Sequence, residues 1–242
     1  MAYQRAMWPC PTVNITQGYG ILSKTHKKGY PLDNGGVYNL FAPFDCKVTE
    51  VYVKKGHSYE VWLTSTKKVL CSNGVYDYLT LSITHPKGID KLKVGQTFKQ
   101  FQSLGLNTSM ANMTGNVDGP HAHIELSLGK KAGWDPTLAK KDIYVNVNAV
   151  PPQDYLFIKE DTKVINEVYK KVLKYHFYKE SELTYRVVGV PSEPLYIRDK
   201  KTDKVIGKLY NGDEVIKFDN KTRCLVYHYE ALGLTYKKYL KK

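Results

Sequence analysis

The sequence has few cysteines, and none of them lies close to another. Its 242 residues contain four, Cys10, Cys46, Cys71 and Cys224, and no Cys-x-x-Cys pair. This spacing is typical of neither a zinc finger nor a thioredoxin-like redox site. Nothing in it argues for a disulfide, so we expect four buried, reduced thiols.

Long apolar runs are also missing. No stretch approaches the roughly 20 apolar residues that a membrane-spanning helix needs. Residues 1–10, MAYQRAMWPC, lack the apolar core and cleavage site of a secretory signal. We therefore expect neither a transmembrane segment nor a signal peptide.

Acidic residues are outnumbered by basic ones. The chain has 36 Lys and Arg against 23 Asp and Glu, a formal net charge of +13. Such a field favours polyanionic partners, namely wall teichoic acids, anionic membrane surfaces or nucleic acid. Tyrosines among the lysines keep a nucleic-acid-binding function open, although no run of residues matches an RNA-binding module.

The pattern of apolar residues indicates a mainly β protein in two parts. Period-2 alternation is clearest over residues 49–53, 61–63 and 79–83. Pro151-Pro152 marks a break, and apolar residues then recur at helical spacing over 160–178. Strand patterns resume after about residue 182. We predict an antiparallel core in residues 1–158, a helical linker in 159–182 and a small β-barrel in 183–242.

Two histidines one residue apart, His121 and His123, are the most informative feature. In an extended segment their side chains project from one side, roughly 6–7 Å apart, while Ile124, Leu126 and Leu128 face the other way. One histidine could then bind a metal while the other handles protons. A surface strand with two solvated histidines fits this segment equally well.

Other segments supply further candidate residues. A catalytic zinc takes three ligands from His, Asp, Glu or Cys, and His26, Asp33 and His123 would provide them. By itself, an Asp after a turn more often bonds backbone. His85 follows Leu79, Leu81 and Ile83 at a spacing of two residues, which places all four on one face of a strand. The pattern predicts that this face points inward and that His85 is its last residue.

Taken together, these segments resemble the lysostaphin-type zinc endopeptidases that cleave the peptides of bacterial peptidoglycan. The resemblance covers roughly residues 13–130. It rests on ITQGYG before His26, FAP and KV after Asp33, LKVGQ at 92–96 and GPHAHIE at 119–125. It implies that His26, Asp33 and His123 are zinc ligands and that His85 and His121 are the catalytic pair around the bound water. The sequence departs from the family in a longer step from His26 to Asp33, in Cys46 for glycine and in Ala122 for leucine.

A second, shorter resemblance lies near the C-terminal end. Residues 195–198, LYIR, and the run GKLYNGDEV at 207–215 resemble bacterial SH3-like wall-binding modules. A plain small β-barrel is the competing interpretation. The order of a catalytic part, a linker and a binding module is typical of wall hydrolases.

The hypothesis at this stage is a zinc endopeptidase acting on peptidoglycan, in the manner of a phage lysin. It would pass from the host cytoplasm to the cell wall at lysis, or be carried in a virion. No Gly-x-Ser-x-Gly motif or Cys-His partnership suggests another hydrolytic mechanism. Two alternatives remain open, a wall-binding protein without turnover and a basic nucleic-acid-binding protein, of which the second leaves the histidines unexplained.

Overall fold

The computed structural model describes residues 4–20, 23, 25–26, 29–54, 57–109, 118–130, 146–165, 177–191, 194–229 and 231–242. Strands make up 47% of the described residues and helices 7%, which confirms the predicted mainly β fold. Among the described residues, none lies in a helix long and apolar enough to span a bilayer.

Up to residue 164, the strands of the described residues form one large sheet and three small ones. Their bounds are β1 Thr12–Val13, β2 Ile15–Gln17, β3 Leu32–Gly35, β4 Asn39–Phe41, β5 Cys46–Tyr52, β6 Glu60–Ser65, β7 Val69–Leu70, β8 Tyr76–Asp77, β9 Leu79–Thr84, β10 Thr97–Phe98, β11 Ser103–Asn107, β12 His121–Leu128, β13 Ala149–Val150 and β14 Lys163–Val164. The eight-stranded first sheet runs β10-β5-β6-β9-β12-β3-β2, with β13 added to β12. The pairs β1–β14, β4–β11 and β7–β8 stand apart.

Alternation along β12 separates the core from the candidate site. Ile124 and Leu126 are buried and lie opposite Ile83 and Leu81 of β9. Burying these branched side chains between antiparallel strands supplies the main stabilisation of the sheet. His121 and His123 are on the other face, as the period-2 pattern predicts.

The remaining strands form a second antiparallel sheet. They are β15 Thr184–Val187, β16 Leu195–Arg198, β17 Val205–Leu209, β18 Glu214–Lys217, β19 Arg223–His228, β20 Ala231–Tyr236 and β21 Leu240–Lys241, in the order β17-β16-β20-β19-β18-β15-β21. Two four-residue helices, α1 Pro152–Tyr155 and α2 Glu180–Leu183, precede it. This sheet has its own apolar core, which includes Ile197, Leu209 and Val226.

Six buried side chains connect the two sheets, and we call them the bridging cluster. Met7, Leu70 and Phe157 come from the side of the first sheet, and Leu183, Ile216 and Tyr227 come from the second. The ring of buried Tyr227 lies 5.7 Å from that of the adjoining, partly buried Tyr76. The sheets are therefore packed together through a dry contact as well as joined by the chain.

The predicted helical linker is wrong over residues 159–165, whereas Glu180–Leu183, near its end, form the short helix α2. Lys163–Val164 form strand β14, which pairs in parallel with Thr12–Val13. The backbone N–H of Ile165 donates to the carbonyl of Val13 at 2.8 Å. The pairing of β14 with β1 outweighs the weak helical periodicity of this segment. Val164 and Ile165 are β-branched, and such residues favour extended structure. Residues 166–176, which carry most of the prediction, lie outside the described residues.

Candidate metal centre

The pairing of β3 with β12 brings the central residues of the site together. Asp33 lies opposite His123, and Gly35 lies opposite His121, in antiparallel register. Because directly opposed side chains share a face of the sheet, the carboxylate of Asp33 meets the imidazole of His123. Their atoms Oδ1 and Nδ1 are 3.0 Å apart.

His26 reaches the same place from the loop between β2 and β3. Its Nδ1 donates to the carbonyl of Gly18 at 2.9 Å, which leaves Nε2 directed at Asp33 Oδ2, 3.6 Å away. The Ser23 hydroxyl accepts the backbone N–H of His26 at 2.7 Å and a bond from Gln17 Nε2 at 2.8 Å. This short network fixes the loop and with it the direction of the imidazole.

His26, Asp33 and His123 together form a compact donor set. One ligand atom from each lies within 4.8 Å of the others. Their side chains are 11%, 10% and 17% exposed, so the site is screened but open to water. Two imidazole nitrogens and a carboxylate oxygen are a donor set that suits zinc in a site with a free position.

The other two predicted residues stand beside this set. His121 Nδ1 donates to the carbonyl of Gly119 at 2.8 Å, and its Nε2 is 3.9 Å from Asp33 Oδ1. The ring of His85 is centred 4.8 Å from the ring of His121 and 5.9 Å from that of His123. All five residues that the sequence singled out therefore meet on one face.

The predicted direction of His85 is wrong. Strand β9 ends at Thr84, and His85 has a φ of 84°, in the left-handed region. The alternation of the strand stops there, so the imidazole turns away from Leu81 and Ile83 toward His121. A non-glycine residue held at positive φ is uncommon and costs about 1–3 kcal/mol, which the surrounding contacts must supply.

Glu125 is a member of the site that the sequence analysis did not single out. Its Oε1 lies 3.2 Å from His123 Nε2, so the imidazole is held between two carboxylates. Burial alone would lower the pKa of His123, but its hydrogen bonds with Asp33 and Glu125 raise that pKa to about 10. Glu125 follows His121 and His123 at a spacing of two residues, so it lies on the same face of β12. This spacing could have identified Glu125 from the sequence.

Asp33 and His26 respond differently to their surroundings. Burial alone would raise the pKa of Asp33, but the hydrogen bond and charge of His123, with the other histidines, hold it below its usual value. Burial, followed by the charge of His123, lowers the pKa of His26. The arrangement therefore favours an ionised Asp33 beside a neutral His26, the forms in which these two residues bind a metal, whereas His123 is protonated at neutral pH and must release its proton to bind one.

The comparisons with known proteins give partial matches. No protein-family profile matches the chain. Morphogenesis protein 1 of Bacillus phage B103 is 31% identical over 150 residues, which cover 59% of this chain and 39% of that protein. The chain thus spans well under half the length of this relative.

Three solved structures match the chain at low similarity. A zinc-containing peptidase from Vibrio cholerae has a TM-score of 0.36 and 21% identity over 53% of this chain and 37% of its own. The SpoIIQ–SpoIIIAH pore-forming complex has a TM-score of 0.37 and 14% identity over 52% and 85%. The solution structure of lysostaphin has a TM-score of 0.36 and 18% identity over 96% and 90%.

Proposed function

We propose that the protein is a zinc-dependent endopeptidase that hydrolyses peptide cross-links of bacterial peptidoglycan. The observation that carries the proposal is the donor set of His26, Asp33 and His123, whose ligand atoms lie within 4.8 Å of one another. Two further histidines, His85 and His121, border that set on the same face. The motifs beside His26 and Asp33 and around His121 and His123 resemble those of the lysostaphin-type peptidases.

Each residue has a role that its contacts support. His26, Asp33 and His123 would hold zinc, which when bound activates water and polarises a carbonyl. Gly18 and Glu125 orient the two imidazoles of this set. Because Nδ1 of His121 donates to Gly119, its Nε2 is the nitrogen that would accept or donate a proton, and the adjacent imidazole of His85 would be the second proton carrier.

We further propose the division of the chain and its setting. Residues 1–158 would form the peptidase, residues 159–182 the linker and residues 183–242 an SH3-like wall-binding unit, in support of which the second sheet begins at Thr184 with a core of its own. The phage relative supports a phage-encoded enzyme. Its name, a morphogenesis protein, favours carriage in the virion over release at lysis alone.

Metal content and wall turbidity test the proposal together. We expect one zinc per chain and falling turbidity of purified walls, with activity lost on chelation and restored by added zinc. New amino groups released from the walls would identify peptide bonds as those cut. Zinc without turnover would leave a wall-binding protein. A chain that binds no zinc and clears no walls would contradict the proposal.

A further inference from the structure

A second concave site lies in the second sheet. It is a groove of about 300 Å³, which we call the basic groove. Its lining includes three cationic side chains and three tyrosines, namely Arg198, Arg223, Lys238, Tyr196, Tyr236 and Tyr239. Of the described residues that line it, none is acidic. A hollow of this composition is suited to an anion that also carries hydroxyl or apolar groups.

Strand register explains why these side chains converge. Arg198 of β16 lies opposite Leu234 of β20, and Arg223 of β19 lies opposite Tyr236 of β20. A 3-10 turn at Lys237–Tyr239 follows β20 directly and brings in Lys238. Three neighbouring strands and one turn thus bring the cations to the same end of these strands.

The positive charge of the basic groove is only partly neutralised. Arg223 Nη2 lies 2.5 Å from a carboxylate oxygen of Asp203, and Arg198 Nη1 donates to the carbonyl of Asp203 at 2.9 Å. Lys238 Nζ lies 4.8 Å from the centre of the Tyr239 ring. Asp203 therefore holds the guanidinium groups of Arg198 and Arg223 in place. Its single negative charge neutralises only one of the three positive charges of the basic groove. Braced guanidinium groups lose less conformational entropy when they bind an oxyanion.

We propose that the basic groove binds phosphodiester groups of a teichoic-acid-type wall polymer and so holds the enzyme on the wall. Guanidinium forks match the paired oxygens of a phosphate, and tyrosine hydroxyls can donate to polyol or sugar oxygens. The choice of a wall polymer as the partner rests on the proposed peptidoglycan hydrolase function. The groove itself would be a binding site separate from the histidine cluster.

The exposure of the tyrosines favours this partner over a nucleic acid. Binding of single strands relies on successive bases stacked on exposed aromatic rings. Of the three tyrosines that line the basic groove, Tyr236 is 48% exposed, whereas Tyr196 and Tyr239 are half-buried. One accessible ring cannot stack with several successive bases. A wall polymer has no bases and does not need such stacking.

Binding to walls with and without their phosphate polymers tests this inference. The full chain is sedimented, in the presence of a chelator, with intact walls and with walls stripped by hydrofluoric acid. Arg223→Gln with Lys238→Gln removes two charges from the basic groove. Lys241→Gln with Lys242→Gln is the matched control, since both residues are exposed and neither lines the basic groove. Tyr236→Ala provides an independent variant, and thermal unfolding establishes that each variant is folded.

We expect the groove variant to bind intact walls about tenfold more weakly than the unaltered protein does. On stripped walls, the groove variant and the unaltered protein should bind equally weakly. The control pair should stay within about twofold. Equal binding of the unaltered protein to intact and stripped walls, or an equal loss in the control pair, would overturn the inference. Tighter binding of a single-stranded oligonucleotide than of free poly(glycerol phosphate) would replace the wall polymer with nucleic acid.

The outcome is independent of catalysis, because chelated protein does not need to cut walls in order to sediment with them. Polymer-dependent binding without hydrolysis would contradict the endopeptidase proposal alone. Hydrolysis without polymer-dependent binding would contradict the basic groove alone.

Discussion

Asp33 is the residue on which the candidate metal centre converges. Its two carboxylate oxygens face His26 at 3.6 Å and His123 at 3.0 Å. Because three ligands leave little affinity to spare, Asp33→Ala, His26→Ala and His123→Ala should each lose zinc on dialysis. Atomic emission would measure zinc per chain, with His57→Ala as a control outside the cluster. Stoichiometric zinc in two of the three variants would reject the assignment.

His85 and His121 should behave differently from the ligands. His121→Ala and His85→Ala are expected to keep zinc and to lose turnover by a factor of about 10² to 10⁴, the usual contribution of a general acid or base. Initial rates of wall clearance and zinc content are measured on the same preparations. Normal clearance by His85→Ala would reduce that residue to a structural role, with its positive φ unexplained.

The cysteines should be chemically silent in the folded protein. All four are free and buried, and burial raises the pKa of the Cys10 and Cys46 thiols to about 12. At pH 8 almost no thiolate is present at either residue, so iodoacetamide should not label them before the chain unfolds. Mass spectrometry after labelling in buffer and in guanidinium gives the comparison. Rapid labelling of either cysteine in buffer would show a more open structure than the one described.

At the scale of elements, the segment after β9 packs closely against strand β11. Gly88 has a φ of 100°, and a Cβ there would lie 2.4 Å from the carbonyl oxygen of Gly105. Gly95 has a φ of 93° but nothing within 4 Å of its would-be Cβ. Gly95→Ala therefore carries the backbone cost alone, whereas Gly88→Ala must also move a neighbouring strand.

We expect Gly95→Ala to cost about 1 kcal/mol in the free energy of unfolding, and Gly88→Ala about 1–3 kcal/mol more. Urea denaturation measures both. Gly88→Ala should also slow wall clearance more than Gly95→Ala does, because the displaced segment carries His85. Equal stability of the two variants would mean that the contact with Gly105 is easily relieved.

Local patterns in the sequence predicted the elements that depend on alternation. The strands around Val61, Leu81 and Ile124 follow the period-2 pattern in their apolar residues. Of these three strands, burial alternates in the same way only along β12, because β6 and β9 are buried on both faces. His85 could not be oriented in this way, since the pattern carries no information about a residue that leaves the strand with a positive φ. Strand β14 was missed for another reason. It exists through pairing with β1, a contact between segments that are far apart in sequence.

At the scale of the whole molecule, the bridging cluster couples the unfolding of the two sheets. Phe157 is fully buried there, so Phe157→Ala should cost about 3–5 kcal/mol and separate the unfolding of the two sheets into two calorimetric steps. Phe41→Ala is the control, because its ring is 36% exposed and lies outside the cluster. A single transition, destabilised no more than in the control, would show that the two sheets are not coupled through these side chains.

The pairing of β1 with β14 also affects how the chain reaches this structure. Ala6 and Trp8 exchange backbone hydrogen bonds with Phe157, and Thr12–Val13 pair with Lys163–Val164. During synthesis, segment 4–13 therefore cannot form these backbone hydrogen bonds until residues 157–164 have left the ribosome. Contacts so distant in sequence form slowly. Until they form, the strand carries unpaired backbone groups that can pair with another nascent chain, so aggregation competes with folding at that stage.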